Sequence, residues 1–155
     1  MVTDSCVVRL DGARVDCRCR IDLPYDPAPV WAVVSNLPRF LTVDPFHERV
    51  ERRGRRLRLW HNAFGFRCLR VGRILHWHEG RGYAFSDLSL RGPRRGFPHV
   101  FFVTVEPRGC GGSCLVIRVR GKWTARWMPR FCVRAWLRFV VSEHARLLRR
   151  AFCVA

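Results

Sequence analysis

The sequence predicts an α+β fold, a curved antiparallel sheet of about seven strands around a long C-terminal helix, with two short helices after strand 1. Three observations predict it. Residues 15–22 alternate strictly, with Val15, Cys17, Cys19 and Ile21 against Asp16, Arg18, Arg20 and Asp22, the period of a half-buried strand. From Phe46 to Glu106 every periodic segment is strand-like and the breaks between segments are short, as in a meander. After Pro129, apolar residues and one histidine recur at three- and four-residue spacing, which a helix of about six turns places on one face.

The elements follow in order. Residues 1–12 read as an N-terminal extension and 13–155 as one domain. After strand 1 the chain turns at Leu23 to Tyr25. Asp26 then stands as an N-cap and Pro27 at a first helical position, where no backbone donor is needed, so a short helix is expected to about Asn36 with Trp31 and Val34 facing the core. Pro38 starts a second short helix through Leu41, closed by Asp44-Pro45. Strands are expected over His47 to Glu51, Leu57 to His61, Phe66 to His78, Tyr83 to Leu90 and His99 to Glu106. Arg53-Gly54, Asn62, the 79–82 stretch and Gly92-Pro93 mark the turns. A last strand follows the glycine-rich loop 109–112, with Leu115, Ile117 and Val119 on one face.

The terminal helix carries Val133, Trp136, Leu137, Val140, His144, Leu147, Leu148 and Ala151 on one stripe, and Arg134, Arg138, Glu143, Arg146, Arg149 and Arg150 on the other. Burying a large apolar side chain contributes about 1.5 to 3 kcal/mol, so five or six of them dock the helix on the sheet whatever its intrinsic propensity.

With 155 residues and 48% hydrophobic content, the chain can build the core of one domain. It has neither a secretory leader pattern nor an apolar run of the roughly eighteen residues that a spanning helix requires, and a cytoplasmic location is expected. The eight cysteines are accordingly expected to be reduced and core-filling. The formal charge of +17 admits nucleic acid or an anionic membrane as partners through an arginine-rich surface. Lys122 is the only lysine, however, and the basic residues are spread over every segment, as on a solvated surface.

The element order resembles the START-like, or SRPBCC, helix-grip superfamily, which includes polyketide cyclases and dehydrases, lipid-transfer domains and coenzyme Q-binding proteins. The resemblance spans Ala13 to Phe152, and its most specific local piece is Asp87, Gly92-Pro93, Phe97, His99 and Phe101. It implies an apolar cavity between sheet and helix, and the chain lacks the catalytic signature of the well-characterised cyclases.

Alternation places Cys17, Cys19, Phe85, Phe101, Val103, Leu115 and Ile117 inward, joined by Trp136 and Val140 from the helix. These side chains either line a pocket or fill the space. Of the polar candidates His61, His76, His78, Asp87, His99 and His144, the pair Asp87 and His99 shares the inward faces of adjacent strands, where each would tune the other's protonation. His144 reads as a core histidine. His76-x-His78, Cys17-x-Cys19 and Cys110-x-x-x-Cys114 do not match common zinc spacings, and neither a metal nor a cofactor is expected. The leading expectation is binding or transfer of a small hydrophobic molecule such as a lipid, quinone or polyketide. The alternatives are a cyclase- or dehydrase-like enzyme using Asp87 and His99 as catalytic acid and base, and a basic-surface protein that docks nucleic acid or anionic membrane.

Overall fold

Hydrophobic alternation along each strand builds one antiparallel sheet in the computed structural model, which describes residues 5–43, 46–63, 65–90, 96–109 and 111–154, side chains of 63, 153 and 154 excepted. The strands are β1 (Ser5–Asp11), β2 (Arg14–Leu23), β3 (His47–Arg53), β4 (Arg56–Ala63), β5 (Phe66–His78), β6 (Gly82–Ser89), β7 (His99–Pro107) and β8 (Ser113–Lys122). Their spatial order is β1-β2-β8-β7-β6-β5-β4-β3. β3 to β8 thus form a continuous meander, and the helices α1 (Pro27–Val34) and α2 (Leu37–Leu41) carry the chain from β2 to the far edge.

The sheet has eight strands where about seven were expected. The additional one is β1, inside the segment read as an extension. Cys6, Val8 and Leu10 are half-buried and alternate with exposed neighbours, but Val7 is exposed at 51%, and this apolar residue on the wet face hides the alternation. The β1–β2 register sets Cys6 directly opposite Cys19, and the two form a disulfide. The expectation that every cysteine is a reduced thiol is corrected on that point. Cys17, Cys68, Cys114 and Cys132 are free, and Cys110 lies outside the described residues, as do Asp44-Pro45 and Gly92-Pro93.

Asp26 occupies the N-cap of α1, with Pro27 inside the first turn, although the Asp26 side chain makes no capping bond. Asn36 caps α2 by accepting from the Arg39 amide at 3.3 Å. Tyr83 ties α1 to the sheet by donating its buried hydroxyl to the Val34 carbonyl at 2.9 Å. The terminal helix α3 (Arg130–Val154) leans on β1 and β2. Its buried stripe is centred on Val133, Leu137, His144, Ala145, Leu148 and Phe152, whereas Ala151 is exposed. That stripe lies slightly around the helix from the expected one, because α2 also covers α3: Phe40 meets His144 edge-on at 5.4 Å. No helix among the described residues is long and apolar enough to cross a membrane.

Candidate functional site

A strongly bent sheet cannot press its whole concave face against one helix, and a cavity of about 290 Å³ remains between them. Of the residues expected to line it, Cys17, Phe85, Phe101, Ile117, Trp136 and Val140 do so, as do Asp87 and His99. Cys19, Val103 and Leu115 point to the same side of the sheet but do not line the cavity; they are buried in the core with Leu23, Val30 and Trp31. Alternation fixes a residue's face, while the filling of each part of that face by α1 and α2 decides whether it meets open space.

One end of the cavity is polar, and a single cross-strand row creates it. Gly72, Asp87, His99 and Gly121 are successive register partners across β5, β6, β7 and β8. A glycine stands on each side of the polar pair. A Cβ on Gly72 would lie 2.2 Å from the Ser86 carbonyl oxygen, and one on Gly121 would lie 2.6 Å from the His99 Cβ, so the strands approach there as only glycine permits.

Asp87 is only 1% exposed, and a buried carboxylate needs partners. Arg70, two residues along β5 from Gly72, supplies the main one. Its Nε donates to Asp87 Oδ1, and its Nη2 donates to the carbonyls of Asp87 at 3.0 Å and Phe97 at 2.7 Å. His61 Nε2 stands 3.0 Å from Asp87 Oδ2, and His99 Nε2 stands 3.5 Å from the same oxygen. Burial alone would raise the Asp87 pKa, but His99, His61 and Arg70 together hold it well below the usual carboxylate range. Burial likewise lowers the pKa of both His61 and His99, against the pull of Asp87.

The orientation of His99 follows from its other nitrogen. Nδ1 lies 2.8 Å from the Phe97 carbonyl, which can only accept, so Nδ1 carries a proton and Nε2 is the nitrogen turned toward Asp87. This leaves Asp87 an ionised group gripped by Arg70, with His99 Nε2 and His61 Nε2 beside its second oxygen. His144, also on the cavity wall, is buried between Phe40 and Phe101. His76 and His78 are exposed, away from the site.

Arg70, His47, Asn62 and Cys68 complete the polar end and were not anticipated as site residues. For Arg70 the sequence held a signal. Cys68, Arg70, Gly72 and Ile74 share one parity of β5, so an arginine sits on the face that carries buried Ile74. His47 gave none, since it begins β3 and a register irregularity follows it.

No protein-family model matches the chain, and no curated protein matches it. Solved structures do. A START superfamily protein from Mycobacterium smegmatis superposes with a TM-score of 0.69 at 13% identity, over 90% of this chain and 99% of that one. The di-domain ARO/CYC StfQ of the steffimycin biosynthetic pathway gives 0.69 at 13% identity, over 89% of this chain and 49% of that one. Ara h 8.0201 gives 0.66 at 13% identity, over 92% and 99%. The chain therefore has the START-like helix-grip fold, as its element order implied.

Proposed function

We propose that the protein binds a small, largely apolar molecule that carries one acidic or hydrogen-bonding group. The observation that supports this is the cavity's division into an apolar body, walled by Phe85, Phe101, Ile117 and Trp136, and one polar end at Arg70, Asp87 and His99. Burial of the ligand's body supplies affinity, and the polar end fixes its orientation. At about 290 Å³ the space is at the lower limit of the roughly 300 to 1,000 Å³ of small-molecule sites, which favours a compact ring system over a long-chain lipid. Native mass spectrometry of the purified protein, with solvent extraction of any bound molecule, tests the reading. A stoichiometric small apolar ligand, or saturable uptake of an environment-sensitive dye that is lost when the cavity is filled by mutation, supports it. An empty protein that takes up no dye overturns it.

A second reading, docking on an anionic membrane, is favoured by one surface feature. From Pro107 to Ser142 the sequence has no acidic residue. Within that stretch Trp127 is 80% exposed, Phe131 75% and Phe139 51%, among the exposed Arg126, Arg130, Arg134 and Arg138. Exposed aromatics flanked by cations suit the boundary between headgroups and acyl chains. Phe139 also packs on Phe46 and Trp136, which line the cavity, so the docking face adjoins the binding site. Co-sedimentation with phosphatidylserine vesicles but not with phosphatidylcholine vesicles, weakened by Trp127→Ala with Phe131→Ala, supports it. Equal partition to both or to neither overturns it.

A further inference from the structure

The polar end of the cavity holds an arrangement that ligand orientation does not require. His47 and His61 are register partners on β3 and β4, their rings 4.4 Å apart, and both line the cavity with Asp87. One donor atom from each of the three falls within 4.8 Å of the others. Because the three come from separate strands, no spacing in the sequence reveals the set.

The donors are of the right kind. Two imidazoles and one carboxylate suit divalent first-row ions such as zinc or iron, and a three-residue set leaves coordination positions open. Metal–nitrogen bonds of about 2.0 to 2.1 Å put tetrahedral ligands about 3.3 Å apart. His61 Nε2 and Asp87 Oδ2 already stand 3.0 Å apart, with Nε2 buried. Arg70 occupies Oδ1, which leaves Oδ2 as the available oxygen and restricts Asp87 to one bond to an ion. A carboxylate held in place by a partner outside the coordination sphere is usual for metal ligands. His99 is a further donor in reach, 3.5 Å from the same oxygen, with its Nδ1 anchored on a backbone carbonyl.

We propose that His47, His61 and Asp87 form a binding site for a divalent first-row transition-metal ion, with its open coordination positions toward the apolar cavity. An ion there would take an oxygen of a bound molecule, or water, as its remaining ligand. The proposal stands on the side-chain cluster and not on the apolar-ligand reading.

Titration of the protein with Co²⁺, followed by its visible ligand-field bands and by calorimetry, tests it. One equivalent is expected to bind, with displacement by Zn²⁺, and binding is expected to be lost in His47→Ala and in His61→Gln. His76→Ala with His78→Ala is expected to leave it unchanged. Dye uptake in His61→Gln separates this proposal from the previous one, since loss of metal with uptake retained affects only the metal site. Should a variant fail to fold, Zn²⁺-induced shifts of the His47 and His61 imidazole resonances in the wild-type protein decide the matter. Absence of binding, binding that survives both histidine changes, or shifts at His76 and His78 alone would overturn the proposal.

Discussion

Gly121 and His99 face each other across β7 and β8 so closely that a Cβ on Gly121 would lie 2.6 Å from that of His99 and 2.5 Å from the Pro98 carbonyl oxygen. The backbone itself must shift to admit a methyl group there. Gly121→Ala is expected to cost about 1 to 3 kcal/mol, the range for overpacking. It is also expected to move the His99 imidazole resonances, where an alanine at the open, exposed Gly109 would not. Urea denaturation and histidine NMR check both parts.

Arg70 and Asp87 form the buried ion pair of the site, their side chains 11% and 2% exposed. Removing one partner strands the other charge, so Arg70→Met is expected to destabilise by about 3 to 5 kcal/mol. The double change Arg70→Met with Asp87→Leu is expected to recover most of that. A double-mutant cycle in urea measures the coupling, and additive losses would show that the pair is not coupled.

Val140 lines the cavity from α3 and is half-buried. Val140→Phe is expected to occupy that space, lowering uptake of an apolar dye about tenfold while changing stability by less than about 1.5 kcal/mol. Fluorescence titration and a thermal melt give the two numbers.

Burial pushes the Cys17 thiol up from its ordinary 9.0 to about 12. The unfolded chain therefore releases this proton from about pH 9, while the folded chain keeps it. Stability from Cys17 is full below pH 9 and falls as the pH rises toward 12. Cys17→Ala is expected to flatten the alkaline limb of the stability profile. Exposed Cys68 is expected to alkylate well before Cys17 at pH 8.

The Cys6–Cys19 bond ties the edge strand to its neighbour. Its reduction is expected to cost about 3 kcal/mol, the loop-closure value for a loop of roughly fifteen residues. Denaturation with and without reductant measures the cost. Thiol trapping in whole cells would report whether the compartment keeps the bond oxidised.

Much of this site was legible because a strand's period is short and strict. Cys17, Phe85, Phe101 and Ile117 were placed on the inner face by alternation, and they do face the cavity. Position along that face was not legible. Val103 lies two residues from Phe101 on the same side, yet it meets the packed core because α1 and α2 fill that end. Arg70 was visible only as an arginine on an apolar parity, and its meaning depends on the register with β6. The disulfide was hidden for the same reason, since sequence gives no pairing between β1 and β2 until Cys6 is known to oppose Cys19.

The pairing of β2 with β8 joins Arg14 to Lys122, and it has a consequence for the order in which the protein is made. Arg70, Asp87 and His99 lie on consecutive hairpins, so the polar end forms from local contacts soon after those strands leave the ribosome. Cys17 must wait for β8, and the opposite wall for α3, which follows all eight strands in the chain. Until then Phe85 and Phe101 stand uncovered on a half-built sheet, the surface a chaperone would recognise. A ligand present at that moment can be enclosed by the closing helix without ever passing through an entrance.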